Sequence, residues 1–455
     1  MKKKWFRYIL AGWLLWGLFH PVFAQVSLDG SVMTYNRLRL QQEGRWTWNE
    51  NRLTLKITGN PSERVHFFTN VRLRGFGFPA TTTTSDLQRR QKDTAYPWGM
   101  ELREAYVDIY GFLSENLDLR IGRQRIAWGT ADQLNPTDNL NPDDLEDIFN
   151  FGAHFGSNAL LANYYLGDFT LTGVVLPVFQ PATLPFGDWS RAFTPMDVTQ
   201  FPFPIAQYTD HIILPDNRLK QSTSYALKIS GTHFGYDWSL SYYNGRDDLP
   251  LVTAVEITPI GQSANLQANV TLTYPRMRVL GADLAGALGS VGIWAEAALF
   301  FPEKQLRTLQ YPDFQSFPNT ITVTEIAIDD KPYLKWVLGG DYTFKGGWYV
   351  NVQFLHGFLH ERGTEELNDY VLARVEKRLL NDALKVVPFG VALAVPDWQQ
   401  IRDNYGLAGG PEIAYFPADA LEIAIGAYLI TGKGNNLFSR IKDFDEGFVK
   451  VTYSF

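Results

Sequence analysis

The 455-residue sequence contains no cysteine and, after its first two dozen residues, no long apolar run. The absence of cysteine excludes disulfides, so the fold must close by other means. A membrane-spanning helix needs about 18 to 20 continuous apolar residues, and no later stretch approaches that length. The net charge of −7 at pH 7 argues against a nucleic-acid-binding protein. The mature chain is therefore expected to be either soluble outside the cytoplasm or a membrane barrel.

Residues 1–24 have the features of a bacterial secretory signal peptide. Residues 9–19 are almost wholly apolar, and Val22 and Ala24 place small residues at −3 and −1 before a cleavage site at Gln25. The basic start is formed by Lys2, Lys3, Lys4 and Arg7. Cleavage would lower the net charge from −7 to −11 and leave one domain, residues 25–455.

The mature sequence has a hydrophobic period of two rather than 3.6, which predicts strands. In residues 64–74, for example, Val65, Phe67 and Val71 alternate with His66 and Asn70. Aromatic residues make up 15% of the chain, as in strands that carry aromatic girdles at both membrane interfaces. The candidates for these girdles are Trp46, Trp48, Trp128, Trp348, Tyr349, Tyr415 and Phe416.

Short and long connections alternate along the chain, which is typical of outer-membrane barrels with short periplasmic turns and long extracellular loops. The predicted fold is all-β, a transmembrane antiparallel up-and-down barrel of about 18 strands. The strands are placed near 28–40, 46–58, 63–75, 99–110, 114–128, 158–166, 168–179, 221–233, 235–244, 276–287, 291–301, 332–344, 347–358, 365–378, 383–395, 405–416, 419–431 and 446–455. The long loops, extracellular or folded into the lumen, are 76–98, 129–157, 180–220, 245–275 and 302–331, and a weak strand within 251–273 is interpreted as loop structure.

The final nine residues, GFVKVTYSF, alternate and end in Phe455. This ending resembles the terminal strand signal that the barrel-assembly machinery recognises in bacterial outer-membrane proteins. The expected location is therefore the bacterial outer membrane, with membrane lipid and lipopolysaccharide as surroundings.

Inward-facing charges concentrate on the first five strands, where rings of charge could set ion selectivity. A structural role, in which these charges pair across strands, is the alternative for any one residue. The predicted pore-lining set is Arg37, Arg39, Arg52, Lys56, Arg72, Arg74, Glu104, Asp108, Asp118, Arg120, Arg123, Arg125 and Glu296.

Strict alternation sends Arg123 and Arg125 to the lipid side, where charges at the bilayer midplane are costly. A bulge at Gly122 is predicted to shift the phase and turn both arginines inward. Gln124, Ile126 and Trp128 would then face out, with Trp128 near the outer interface.

The next segment repeats Asn-Pro-x-Asp twice, a strong turn signal, and collects six acids. We predict that this loop folds back into the barrel mouth and pairs its acids with the wall arginines. Plain solvated turns and a calcium site are the alternatives, although the spacing matches no EF-hand, and no cofactor is predicted. The predicted constriction residues are Asp132, Asn135, Asp138, Asn141, Asp143 and Asp144, and the acids continue with Glu146 and Asp147.

Three patches resemble alginate-export-like porins and their outer-membrane relatives. They are residues 103–111 (REAYVDIYG), residues 120–144 (RIGRQRIAWGTADQLNPTDNLNPDD) and residues 281–299, with an inward acid at Glu296. The resemblance implies an eighteen-stranded monomeric porin for passive diffusion, whose alginate-specific members bind a polyanion in a basic lumen. Here the chain is acidic and the bases cluster on the first strands. A porin is therefore expected, but alginate is not carried over as its substrate.

The leading hypothesis is a channel for small hydrophilic solutes, anionic ones among them, through a charge-lined lumen constricted by inward-folded loops. The proline-rich, aromatic segment near 180–220 supports an alternative, a plugged transporter for hydrophobic compounds. An enzyme is not predicted, because none of the seven histidines lies in a convincing catalytic pattern.

Overall fold

The structure is a computed structural model that describes residues 25–41, 44–88, 92–185, 187–193, 205–261, 265–316 and 318–455. The predicted signal peptide, residues 1–24, lies outside the described residues. The described residues form these strands: β1 Gln25–Arg39, β2 Trp46–Ser62, β3 Val65–Phe76, β4 Trp98–Ile109, β5 Leu117–Gln124, β6 Ser157–Leu166, β7 Phe169–Leu176, β8 Ile205–Ile213, β9 Ser224–His233, β10 Tyr236–Arg246, β11 Leu251–Pro259, β12 Leu266–Thr273, β13 Arg276–Leu288, β14 Val291–Pro302, β15 Gln305–Pro312, β16 Thr320–Ile328, β17 Tyr333–Thr343, β18 Trp348–His356, β19 Asp369–Leu379, β20 Leu384–Val395, β21 Tyr405–Ala418, β22 Leu421–Lys433 and β23 Glu446–Ser454.

Eighteen of these strands form one closed antiparallel barrel, which confirms the predicted fold and strand count. Each barrel strand pairs with the barrel strand that follows it in the chain, and the last strand, β23, pairs with β1. The closing register runs from Ser31 opposite Ser454 to Arg39 opposite Glu446. Closure satisfies every strand edge through hydrogen bonds, so the fold is complete without a disulfide.

The alternation of side chains gives the barrel an apolar outer surface. On β13, Leu280 and Leu284 are exposed to the outside, whereas Met277 and Val279 are buried inside. The same alternation exposes leucines on β9, β10 and β17, namely Leu227, Leu240, Leu334 and Leu338. A continuous apolar surface of this kind matches the lipid-facing band of a membrane barrel.

One end of the barrel carries tight turns and the other carries the long connections, as predicted. The turn between β6 and β7 and the turn between β13 and β14 each contain a glycine with positive φ, Gly167 at +60° and Gly289 at +65°. Such glycines suit two-residue hairpin turns, whose backbone requires φ above zero. We call this end the turn side and the opposite end the loop side.

The remaining five strands form a second sheet built from the loop-side connections, in the order β16-β15-β11-β12-β8. Its β11–β15 and β12–β8 pairings are parallel, and the other two are antiparallel. A core of Val255, Ile257, Val270 and Leu272 holds it together. The sequence showed a weak strand only at 251–273, so this sheet is an unpredicted feature.

The helical segments of the described chain are short: α-helices at Lys92–Ala95 and Leu219–Ser222, and 3₁₀ turns at Gly187–Phe193, Trp398–Gln400 and Ser439–Ile441. Within the described residues, no helix is long and apolar enough to cross a membrane.

Candidate functional site: the loop-filled barrel interior

The inner wall divides into two parts that differ in chemistry. The ionic sector is the inner face of β1–β5. The apolar sector is the loop-side inner face of β7 to β22, formed by Val174, Leu176, Ala226, Val279, Phe300, Val337, Leu355, Tyr370 and Ile430. Residues 125–156, which connect β5 to β6 and are called the inward loop below, pack against both.

The ionic sector is a network of shared carboxylates. Glu50 is fully buried and accepts hydrogen bonds from Arg52 Nε at 2.7 Å and Arg74 Nε at 2.8 Å. Glu101 lies 2.8 Å from Arg74 and more than 3 Å from Arg72 and Arg103. These two wall acids contact four wall arginines, and two of the four, Arg74 and Arg103, also pair with acids of the inward loop. Sequence reasoning missed both wall acids.

The β-bulge in this part of the wall lies in β4, not at Gly122 in β5. The β3–β4 register shifts between Asn70 and Val71, whose partners are Glu104 and Leu102, which leaves Arg103 as the extra residue. The β5 register against β4 and β6 is continuous through Gly122, which has a φ of +131° and no room for a Cβ. The predicted bulge was thus placed on the wrong strand.

The residues after Gly122 also differ from prediction. Gln124, Ile126 and Trp128 are buried inside the barrel instead of facing lipid, and the Lys228 Nζ lies 5.5 Å from the Trp128 ring centre. Trp48, another predicted interface residue, is buried inside as well. An aromatic residue near a strand end can pack against a loop inside the barrel or lie at the membrane interface. The hydrophobic period of two does not distinguish these two positions.

The acids of the inward loop form ion pairs with arginines of the wall and with Arg125, at the start of the loop itself. Asp144 lies 2.9 Å from Arg103, Glu146 lies 2.8 Å from Arg74, and Asp147 lies 2.9 Å from Arg37. Asp138 pairs with Arg125 at 2.5 Å. The loop therefore lies inside the loop-side mouth with its acidic edge along the ionic sector.

The twin Asn-Pro turns are fixed by side-chain hydrogen bonds. Asn141 accepts from Ile126 N at 2.7 Å and donates to Gln124 O at 3.1 Å. Asn135 donates to Ala131 O at 2.9 Å. Each amide thus satisfies backbone groups that would otherwise be buried without partners.

Glu296 anchors the loop from the opposite wall. This buried β14 carboxylate accepts hydrogen bonds from Thr137 N at 2.7 Å, Thr137 Oγ1 at 2.8 Å and Thr130 N at 3.0 Å. It was predicted to line the pore, but its oxygens are engaged by the loop backbone.

A second polar cluster joins the inward loop to other loops. His154 Nε2 lies 2.9 Å from Asp143, and Asp143 N donates to Asp248 at 2.7 Å. Burial opposes protonation of His154, yet the Asp143 hydrogen bond and the Asp138 charge raise its pKa above the usual value. Burial, followed by the charges of Asp143 and Asp247, raises the pKa of Asp248 well above its usual value. A cavity of about 60 Å³ lies beside this cluster.

Two wall arginines bind aromatic side chains from distant loops. The Arg37 guanidinium lies 4.0 Å from the Trp48 ring centre and 5.5 Å from that of Phe149. The Arg39 guanidinium lies 4.0 Å from the Phe444 ring centre and 5.2 Å from that of Trp189. These cation–π contacts tie three loops to β1. No local sequence signal links residues so far apart in the chain.

The predicted pore-lining residues thus fall into two groups. Arg37, Arg39, Arg74, Asp108 and Glu296 are buried and hold structure together. The others keep partial or full solvent exposure: Arg52, Lys56, Arg72, Glu104, Asp118, Arg120, Arg123 and Arg125.

Among these exposed residues, Arg120 pairs with Asp108 at 2.6 Å, and Asp118 accepts from Gly111 N at 2.9 Å. Arg123 pairs in register with Ala105 and with Asn158, an exposed residue between the buried Ser157 and Ala159. Arg123 therefore stays in the outward series of β5 rather than turning inward as predicted, and its side chain contacts Gln180 at 3.4 Å. Asp132, the first acid of the inward loop, is exposed, and Gln353 Oε1 accepts from its backbone N at 3.2 Å.

No group of three or more His, Asp or Glu side chains arranged to hold a metal ion occurs among the described residues. The carboxylates of the inward loop contact arginines or histidine instead, with Asp132 as the exception.

The closed barrel with loops inside its mouth is the architecture of outer-membrane porins. The chain belongs to the family described as "Protein of unknown function (DUF1302)", whose model matches residues 49–308. No curated protein matches the sequence. The alginate-export-like resemblance is not among these matches.

Solved structures with the same fold include Acinetobacter baumannii OccAB1, at 9% identity and a TM-score of 0.51, with 95% of this chain and 96% of that chain covered. Acinetobacter baumannii OccAB2 has 10% identity and a TM-score of 0.50, with 95% of this chain and 98% of that chain covered. Pseudomonas aeruginosa OpdK, solved with vanillate, has 10% identity and a TM-score of 0.49 over 95% of this chain and 98% of that chain. At these identities the likeness concerns the fold alone.

Proposed function

We propose that this protein is an outer-membrane channel for small hydrophilic solutes, with a preference for anions. The solutes pass along the ionic sector, and the inward loop sets the width of the loop-side mouth. The observation that carries the proposal is a group of bases on β2 and β3, Arg52, Lys56 and Arg72, that forms no ion pair with the acids of the inward loop within the described residues.

Three bases that keep solvent exposure lie on two neighbouring strands. Arg52 and Lys56 on β2 and Arg72 on β3 alternate on the inner face, with Thr54 directly opposite Arg72. Lys56 is exposed and makes no ion pair within the described residues. Arg72 lies 3.4 Å from Glu101, a carboxylate that it shares with two other arginines. A low-dielectric wall focuses such charge and raises the local anion concentration.

The experiment is single-channel recording of the refolded protein in a planar bilayer, with reversal potentials measured in a salt gradient. We expect steady conductance and an anion-selective reversal potential. Substituting Arg52, Lys56 and Arg72 together with glutamine should move the reversal potential toward zero.

The matched control is Arg218→Gln, which removes an exposed arginine that pairs with Asp216 outside the lumen. The control should leave selectivity unchanged. A triple variant with wild-type selectivity would contradict the assignment of the anion preference to these bases.

A second candidate function is a plugged transporter for hydrophobic compounds, which the apolar sector favours. Leu140 and Ile126 of the inward loop pack against Val174, Val279 and Phe300 of the wall. A compound with low polarity could follow this surface if the loop moved. A wild-type protein that barely conducts, together with a variant that conducts after residues 132–152 are replaced by a short Gly-Ser linker, would favour this candidate over the open channel.

A further inference from the structure

A group of polar and basic residues lies on the outer surface of the barrel, at the loop-side edge of its apolar band. These residues, called the outer rim patch, are Tyr225 on β9, Tyr242 and Asn244 on β10, and Arg276 and Arg278 on β13. They belong to the outward series, because Arg278 precedes the exposed Leu280 and Leu284 while Met277 and Val279 point inward.

The height of the patch follows from strand geometry. Ten residues separate Arg278 from the exposed Leu288 at the turn side. A strand tilted by about 40° rises roughly 2.5 Å per residue along the membrane normal, so this interval spans about 25 Å. That is the height of the lipid-facing band, so Arg278 lies where lipid headgroups begin.

The charge on the patch is not neutralised by protein carboxylates. Arg278 is exposed, forms no ion pair within the described residues, and lies 5.9 Å from the Phe301 ring centre. Arg276 donates to Lys220 O at 2.8 Å and Gln221 O at 3.0 Å, which fixes the guanidinium but keeps its charge. The acid beside them, Glu303, is exposed and is joined to Arg276 through its backbone N–H.

The polar side chains of the patch are arranged to donate. Asn244 Nδ2 donates to Tyr225 OH at 3.0 Å and to Tyr242 OH at 3.4 Å. Each phenol oxygen therefore serves as an acceptor in this pair, and its own hydrogen stays available for an external acceptor. Two guanidinium groups and two phenol donors on one small surface match a phosphate group.

We propose that the outer rim patch binds a phosphate of lipopolysaccharide in the outer leaflet. The proposal rests on the outer-membrane location proposed above, since long loops of such barrels point outward and bring this rim to the outer leaflet. Arg278 and the two tyrosines contact the phosphate, and Arg276 holds a second positive charge beside it.

The test uses the full-length folded protein in detergent and measures binding of diphosphorylated lipid A by native mass spectrometry. We expect Arg278→Gln to weaken binding about tenfold, the loss typical of one charge-assisted contact. The double variant Tyr225→Phe and Tyr242→Phe should also weaken it, because it keeps the rings and removes the donors. Arg402→Gln, which changes an exposed loop arginine outside the patch, is the matched control.

Three outcomes would overturn the proposal. These are wild-type affinity in Arg278→Gln, equal affinity for dephosphorylated lipid A, and equal affinity for phosphatidylglycerol, which would make the site one for lipid phosphates in general. Circular dichroism of each variant checks that the barrel is folded. Binding in detergent requires no conduction, so failure here is distinguishable from failure of the channel proposal.

Discussion

The two sectors of the inner wall hold the same loop by different means. Along β1–β5 the inward loop is held by discrete pairs, such as Asp144 with Arg103 and Glu146 with Arg74. Along β7 to β22 most of its contacts are packed apolar side chains, such as Leu140 and Leu134. The directional contacts on this side are the hydrogen bonds of the loop to Glu296 and Gln353. The inward loop is amphipathic: its acids lie on the edge that faces the ionic sector, and its leucines lie on the edge that faces the apolar sector.

The two kinds of contact contribute differently to the orientation of the inward loop and to the free energy that holds it inside the barrel. Ion pairs fix direction and register, but the cost of desolvating charge offsets much of their attraction. Apolar burial is non-directional and contributes about 1.5–3 kcal/mol for each fully buried large side chain. We infer that the apolar sector keeps the inward loop inside the barrel and that the ionic sector determines its orientation.

The largest effect is expected from breaking one buried pair in the ionic sector. Arg103→Met leaves Asp144 buried without its cation, which should lower the free energy of unfolding by about 3–5 kcal/mol. Urea unfolding of the protein in lipid vesicles, followed by tryptophan fluorescence, measures the change.

The double variant Arg103→Met with Asp144→Leu is the matched control. It removes both charges together, so most of the lost stability should return. If the double variant is as unstable as the single one, the pair itself contributes net stability and the separation of roles above is wrong.

In the apolar sector, Leu140→Ala should cost about 3 kcal/mol, because it opens a cavity between the loop and the wall. Leu280→Ala on the lipid-facing side removes the same atoms but leaves no enclosed cavity, so its cost should be smaller. The same urea titration compares the two variants. Equal losses would mean that the inward loop is not packed against the wall in the membrane-embedded protein.

The sequence predicted the barrel well, because a period of two and alternating turn lengths are local features. All eighteen predicted barrel strands lie within a few residues of the observed ones. The acidic loop was also predictable, since the Asn-Pro repeats and the acids follow the arginine strand directly.

Features that depend on distant segments were not predictable. The contacts of Arg37 and Arg39 with Phe149, Trp189 and Phe444 join loops that only the closed barrel brings together. The bulge at Arg103 was assigned to Gly122, because glycine is the stronger local signal for a break in alternation. Whether Trp48 and Trp128 face the lumen or the membrane depends on which segments fill the lumen. The strand pattern does not contain this information.

The sectors should also respond to pH with opposite signs. His360 lies beside Phe193 and Phe358, and its Nδ1 is buried without a hydrogen-bond partner. Burial, followed by the charges of Lys335, Arg362 and Arg440, lowers the pKa of His360 to about 3. Because the folded-state pKa is depressed, stability is present above the unfolded value near 6.5 and is lost as pH falls toward 3.

At pH 5 this loss should reach about 2 kcal/mol, since each pH unit below 6.5 costs about 1.4 kcal/mol. His360→Leu removes the titrating group, so its stability relative to wild type should rise between pH 7 and pH 5. A difference between the two proteins that does not change over this range would contradict the buried, neutral state of His360.

The smallest effect is expected at His154, on the ionic side of the loop. Nε2 faces Asp143 and Nδ1 lies 2.8 Å from Gly152 O, which suits a protonated ring with two donors, although Arg125 also lies 3.1 Å from Nδ1. Because the folded-state pKa is raised, the stability from this group is fully present below the unfolded value near 6.5 and is lost as pH rises through the folded pKa. His154→Gln should therefore be less stable than wild type at pH 6, and the gap should narrow by pH 9. Urea titrations of both proteins at the two pH values measure this gap, and a gap that widens with pH would mean that His154 is neutral in the folded protein.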